Sequence, residues 1–337
     1  MIAFVAPASV VDRQAATSSL APLLEPAYAD ALRKRVSQLL KAYRGTLLDL
    51  IGHTPLVKLQ RINPYNQVEI YAKLEYANPS GSLKDRMVLY LIANAIERGE
   101  LTKDKTIVEG TSGNTGISLA MIGAVLGYKI LIIMPEDESR ERRQMIEAHG
   151  AELILTDAEL GTDGAVEEAR KLGETDEYVW LAQHYNPANS FAHYETTGQE
   201  ILEQLGRVDA FIAPTGTTGT LMGVSARLKE HNPNTQIIAV YPKDDIAGLR
   251  RPEGDKKPGI YDETRIDDII EITDAEAKRW MRELCLKEGL FAGPSSGATV
   301  AAALQVAERL AKANKLAKTV ALLPDSGNRY LSVLREG

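Results

Sequence analysis

The sequence predicts an α/β protein built as two units, each a mainly parallel β-sheet flanked by helices. Three observations carry this. From residue 68 onward short β-branched runs alternate with longer helical stretches, the pattern of strand–helix–strand crossovers. Two glycine-bearing strand-to-helix turns, at 110–116 and 215–223, lie in separate parts of the chain. The 337 residues, 44% apolar and 25% charged, are enough for two packed cores.

The elements follow in chain order. Residues 1–46 read as an N-terminal extension. Its first 24 residues are rich in Ala, Ser, Val and Pro and show no periodicity. Asp12 precedes the first basic residue, Arg13, which argues against a secretory signal, and Asp12, Glu25 and Asp30 break the acid-poor pattern of a transit peptide. Over 26–43, Tyr28, Leu32, Val36, Leu39, Leu40 and Tyr43 recur at helical spacing. They predict an amphipathic helix packed on its own domain or on a partner subunit. Strands are expected at 68–74, 106–109, 129–134, 152–155, 210–213, 236–241 and 319–323. The helices between and after them are expected at 84–98, 117–126, 139–149, 161–172, 189–205, 220–231, 274–288 and 297–313.

Composition narrows the function classes. Lys+Arg 39 against Asp+Glu 46 gives a net charge of −7, the wrong sign for a nucleic-acid footprint. One cysteine, Cys285, allows no internal disulfide and no Cys-rich metal site. Five histidines without an HExxH pattern argue against a zinc enzyme, so no metal is expected. The longest apolar runs are too short to span a bilayer. A cytosolic, soluble protein is the expectation.

Four turns place small, polar and glycine residues where strands hand over to helices. The run Asn78-Pro-Ser-Gly-Ser-Leu-Lys-Asp-Arg86 puts Lys84 at the head of an apolar helix. Burial there would lower its pKa and supply the neutral amine that imine chemistry requires; a solvated lysine beside Asp85 and Arg86 is the alternative. Glu109-Gly-Thr-Ser-Gly-Asn-Thr-Gly116 offers hydroxyls, an amide and free N–H groups suited to a carboxylate. Read more plainly, it is a turn capped by Asn114 or Thr115. Thr215-Gly-Thr-Thr-Gly-Thr-Leu-Met-Gly223 can cradle a phosphate. It matches neither the dinucleotide fingerprint nor the P-loop. Gly293-Pro-Ser-Ser-Gly297 opens an Ala-rich helix.

Taken together, these turns resemble the fold-type-II pyridoxal-phosphate enzymes, and within them the cysteine synthases. The family's NPxxSxKDR run stands at 78–86, its TSGNTG loop at 111–116, GTTGT at 216–220, SSG at 295–297, and Pro-Asp-Ser-Gly-x-Arg-Tyr-Leu-Ser at 324–332. The resemblance covers about 47–337 in the same order. The GTTGT loop, Arg250-Arg251, and Met281-Arg-Glu-Leu284 with Glu288-Gly289 are most similar to the cysteine synthase B branch.

The resemblance implies a large cofactor-binding domain from 47–77 and 190–337, and a smaller mobile domain from 78–189. It implies that Lys84 holds pyridoxal 5'-phosphate as an imine and later removes the substrate α-proton. Gly216, Thr217, Thr218, Gly219 and Thr220 would bind the phosphate, Asn114 the ring 3-hydroxyl, and Ser295 the pyridine nitrogen. Thr111, Ser112, Asn114, Thr115 and Gln183 would hold the substrate α-carboxylate. The implied reaction is β-replacement on O-acetyl-L-serine by sulfide or thiosulfate, through bound aminoacrylate, to give L-cysteine in a cytoplasmic homodimer. O-Phosphoserine sulfhydrylase, a cystathionine β-synthase-like enzyme and a silent scaffold are the other readings. The sequence departs from its relatives at Gly110 and Pro294, and shows Ala226 where relatives carry arginine, with Arg227 one place late. Arg250 and Arg251 are the other cations expected near a charged donor.

Overall fold

The computed structural model describes residues 23–254 and 257–332. Among the described residues, ten strands form two sheets. The larger sheet is ordered β1 (Leu56–Lys58), β2 (Val68–Leu74), β10 (Ala317–Leu323), β7 (Ala210–Pro214), β8 (Gln236–Pro242) and β9 (Asp268–Ile272). Only β1 runs antiparallel to its neighbour, with Leu56 opposite Lys73. The smaller sheet, β5 (Glu152–Thr156), β4 (Lys129–Pro135), β3 (Thr106–Gly110) and β6 (Tyr178–Trp180), is parallel throughout. The seven expected strands are present. The sequence reading missed β1 and β6, each three residues long, and the edge strand β9, whose alternating burial leaves little apolar signal.

Each sheet is covered on both faces, as parallel sheets require. Over the small sheet, α2 (Lys84–Glu97), α3 (Asn114–Leu126) and α6 (Ala188–His193) bury a core with Ile107, Ile130 and Ile132 on one face. On the other, α5 (Gly161–Leu172) packs Ala165 and Ala169 onto Val108, Leu131 and Ile133. The large sheet lies between α10 (Pro294–Lys312) with α9 (Asp274–Glu283), and α8 (Gly219–His231) with α7 (Gln199–Leu205). The remaining helix of the small sheet is α4 (Arg140–Ala148).

Two long helices expected from periodicity are interrupted. The stretch 189–205 resolves into α6, a wide turn Tyr194–Gly198 and α7, and 274–288 into α9 and a second wide turn, Leu284–Glu288. In the first turn the Thr196 hydroxyl donates to the Ala192 carbonyl at 2.6 Å, a side-chain competitor for the helix ladder. Periodicity survives such a one-residue widening, which is why the sequence reads as continuous.

The extension's helix is α1, Pro26–Ala42. Of the two packings expected for it, the structure has the first: Ala29, Leu32 and Val36 are buried against the small-sheet core of their own chain. Arg35 pairs with Glu97 of α2 at 2.8 Å. The reading of residues 1–22 lies outside the described residues.

Candidate active site

The C-terminal ends of both parallel sheets face one cleft, where open α/β sheets place their ligands. A cavity of about 540 Å³ occupies it, lined by Lys84, Thr111, Ser112, Asn114, Thr115, Gln183, Gly216 and Thr217 among others. Eight of the residues expected at the site therefore line one cavity. Thr218, Gly219, Thr220 and Ser295 do not line the cavity and are buried, Ser295 next to its lining residue Pro294.

Lys84 is the first residue of α2. The helix head is pinned to the large sheet: Leu83 N–H donates to Pro324 O at 2.9 Å. Arg86, fully buried, pairs with Glu75 at 2.7 Å and Glu200 at 2.5 Å, and Lys73 joins Glu200 at 2.7 Å. Asp85 accepts from Ser80 N and the Ser118 hydroxyl. With both neighbours buried and engaged, Lys84 is left partly exposed, lining the cavity. Among the described residues its Nζ has one hydrogen-bond partner, Met87 Sδ at 4.0 Å. Burial pushes the amine pKa down to about 8, against the opposing pull of Asp325 and Glu109.

The 111–116 loop corrects the plainer reading of that turn. Neither Asn114 nor Thr115 is the cap: Gly113 holds that position at φ +136, and Asn114 is already helical. A Cβ at residue 113 would overlap Arg142 Cδ, so both conformation and space call for glycine. This frees the side chains for the cavity. Thr115 donates to Gln183 Oε1 at 2.6 Å, and Gln183 Nε2 donates to Gly110 O at 3.2 Å. Gln183, a lone glutamine in sequence, is thereby joined to the loop. Asn114 Nδ2 donates to Asp325 Oδ2 at 2.7 Å, while its Oδ1 is buried with no protein partner.

Across the cleft, Thr218 caps α8 in the left-handed region, φ +67. The first helical bond runs from Met222 N to Thr218 O at 3.0 Å, so the amides ahead of it have no helical partner. Thr217 Oγ1 is held by Asn189 Nδ2 at 3.0 Å, and Thr220 Oγ1 meets His193 Nε2 at 3.2 Å.

The two cation expectations separate. Arg250 lines the cavity and pairs with Asp163 of α5, with His184 Nε2 at 3.5 Å. Arg251 does not; it is held by Glu253 and Glu271 at the edge of the large sheet. Arg227 is also remote, stacked on Tyr194 and near Glu195 and Glu230, and Ala226 is buried. The sequence reading missed the basic rim of α4, Arg140, Arg142 and Arg143, and the Asp325–Tyr330 pair. The latter lay inside a motif already noted, but nothing in its spacing shows what it touches.

A family model described as "Pyridoxal-phosphate dependent enzyme" matches residues 47–325. The chain belongs to that family. The enzyme is 46% identical to a cysteine synthase of Aquifex aeolicus over 298 residues, 86% of this chain and 91% of that one. Identity is also 46% with cysteine synthase B of Escherichia coli, over 86% of this chain and 95% of the relative. A crystal structure of O-ureido-L-serine synthase superposes with TM-score 0.80 at 40% identity, covering 86% and 93% of the two chains. The cavity fits pyridoxal phosphate: a lysine of lowered pKa, a helix head rich in threonine, and the lining residue Asn114, whose Oδ1 has no hydrogen-bond partner among the described residues.

Proposed function

We propose that the enzyme is a cysteine synthase, replacing the acetoxy group of O-acetyl-L-serine by sulfide to yield L-cysteine and acetate. The observation that carries this is Lys84, an amine with pKa near neutrality in the cavity it lines together with the head of α3. The names of the cysteine synthase relatives support it.

In this reading Lys84 holds the cofactor and then takes the substrate α-proton on Nζ. An amine pKa of about 8 suits both tasks near neutral pH. Bound pyridoxal phosphate supplies electron withdrawal from the substrate α-carbon. Gly216, Thr217, Thr218, Gly219 and Thr220 bind the phosphate with backbone amides and hydroxyls at the head of α8. Asn114 meets the ring hydroxyl. Ser295 would meet the ring nitrogen with a hydroxyl, which, unlike a carboxylate, would not keep that nitrogen protonated. The withdrawal is then modest, which suits loss of a β-substituent that carries its own electrons away.

Thr111, Ser112, Asn114, Thr115 and Gln183 hold the α-carboxylate at the positive end of α3. The smaller domain, 78–189, closes on the larger, 47–77 with 190–337, and excludes water while the β-carbon is reactive. A cytoplasmic homodimer is the assembly proposed.

The donor follows from charge. Acetate leaves from a neutral ester, whereas O-phosphoserine brings about two negative charges to be paired. Of the expected cations, Arg227 and Arg251 are away from the cavity and Arg250 is engaged by Asp163. With sulfide as common acceptor, kcat/KM for O-acetylserine is expected to exceed that for O-phosphoserine by about tenfold or more, or 1.4 kcal/mol. Preference for O-phosphoserine would sink the donor assignment. Arg140 and Arg143, on the cavity rim, are the observation in favour of that second reading. Homocysteine in place of sulfide tests the cystathionine alternative.

A further inference from the structure

Asp325 follows β10 where the two sheets meet, and is 1% exposed. Its Oδ2 accepts from Asn114 Nδ2 and from the Tyr330 hydroxyl, both at 2.7 Å, while Oδ1 is buried with no hydrogen-bond partner among the described residues. Tyr330 in turn accepts from Arg142 Nη2 at 3.0 Å, with the guanidinium 5.0 Å from its ring centroid, and Arg142 pairs with Glu138. The contacts thus run from α4, on the small sheet, to the segment after β10 on the large one. A buried carboxylate oxygen left without a hydrogen bond is costly unless a positive charge faces it.

Positive charge acts on Asp325 from the buried Arg142 and Arg329 as well as from Lys84, and the negative groups around Lys84 show in turn what acts on the amine. On its own helix, Asp85 is engaged by Ser80 and Ser118, and Arg86 by Glu75 and Glu200. Glu109, from β3, is pushed up to about 8 by burial. His184, after β6, is pushed down to about 3 by burial and by Arg250, and His193 on α6 lies well below its ordinary value through burial. At neutral pH these three are largely uncharged. Asp325 is left as the negative group acting on the lysine.

We propose that Asp325 is a positioning residue: its carboxylate supplies the negative charge acting on Lys84 and fixes the amide of Asn114, and Tyr330, itself held by Arg142 from across the cleft, holds that carboxylate. The proposal rests on Lys84 being the cofactor lysine. Its consequence is that the released amine can take and keep a proton, because an opposite charge favours the ammonium form. Asn114 Nδ2 is likewise committed to Asp325, which leaves its Oδ1 as the acceptor not engaged by the described residues.

The test is the pH dependence with which the full-length chain, stripped of cofactor, recombines with pyridoxal phosphate, followed by visible absorbance. The rate tracks the neutral fraction of Lys84. In Asp325→Asn the midpoint is expected to fall by about one pH unit, the size of a single near charge. In Tyr330→Phe, which keeps the charge, it is expected to move by roughly 0.3 unit or less. If Asp325→Asn does not fold, Asp325→Ser removes the same charge without bulk and should give the same shift. A folded Asp325 variant with the wild-type midpoint overturns the proposal alone. A wild-type chain that recombines as slowly as Lys84→Ala overturns it together with the role given to Lys84.

Discussion

At Lys84 the burial that lowers the amine pKa also leaves the amine with few polar partners, since Met87 Sδ at 4.0 Å is its one hydrogen-bond partner among the described residues. Chemistry and stability therefore come apart at this position. Lys84→Ala is expected to lower kcat by about 10³-fold or more, with the far-ultraviolet circular dichroism unchanged and the visible band of the cofactor lost. Retention of full turnover in that variant would remove the mechanism. That Lys84 belongs at the cleft was legible in the sequence because its motif names it, and the same holds for Gly216 and Thr217. Asp325 was not. What makes it matter is the meeting of Asn114, Tyr330 and Arg142 around it, which depends on tertiary placement that no local pattern encodes. The cap at Gly113 was misread for a related reason: Asn and Thr are good caps by propensity, but the site uses them on the cavity wall.

Among the elements, α1 and α2 make the sharpest predictions. Leu32 is fully buried between the extension and the small-sheet core, so Leu32→Ala is expected to cost about 2–5 kcal/mol, read as a lower urea midpoint with kcat unchanged. The periodicity of 26–43 foretold the helix but not its partner, because an apolar stripe is the same whether it meets its own chain or another. The anchor of α2 is ionic. Glu200 is pushed up by burial, but Arg86 and Lys73 outweigh that and hold it down to about 2. A carboxylate lowered on folding stabilises above its unfolded pKa, and that contribution is lost as pH falls through the folded one. Stability should therefore decline between about pH 4.5 and pH 2 through this group. Glu200→Gln leaves Arg86 and Lys73 short of a charge partner and is expected to cost about 3–5 kcal/mol. The acid limb of its stability curve should then be flatter than that of the wild type, and an unchanged limb would show that other carboxylates set it.

For the molecule as a whole, the alternation of strands and helices foretold both sheets, since each crossover is local in sequence and right-handed crossovers leave little freedom. It could not foretell how close the two halves come. One contact that bears on that distance starts at Gly110, the last residue of β3, where a Cβ would overlap the carbonyl of Ala165 and the backbone of Val166 in α5. The helix rests directly on the strand there. Asp163, two residues before that contact, is the group that reaches Arg250 on the other half of the cleft. One missing methyl group thus acts as a shim, setting the height of a helix and through it the gap between two bodies. Gly110→Ala is expected to lift α5, cost about 1–3 kcal/mol, and raise KM for O-acetylserine. Arg250→Gln, which severs the contact directly, should raise it too, and the double variant should add little to either. The substrate's own doorway is in this sense gauged from beneath, by the backbone of a strand that also leads into the carboxylate loop.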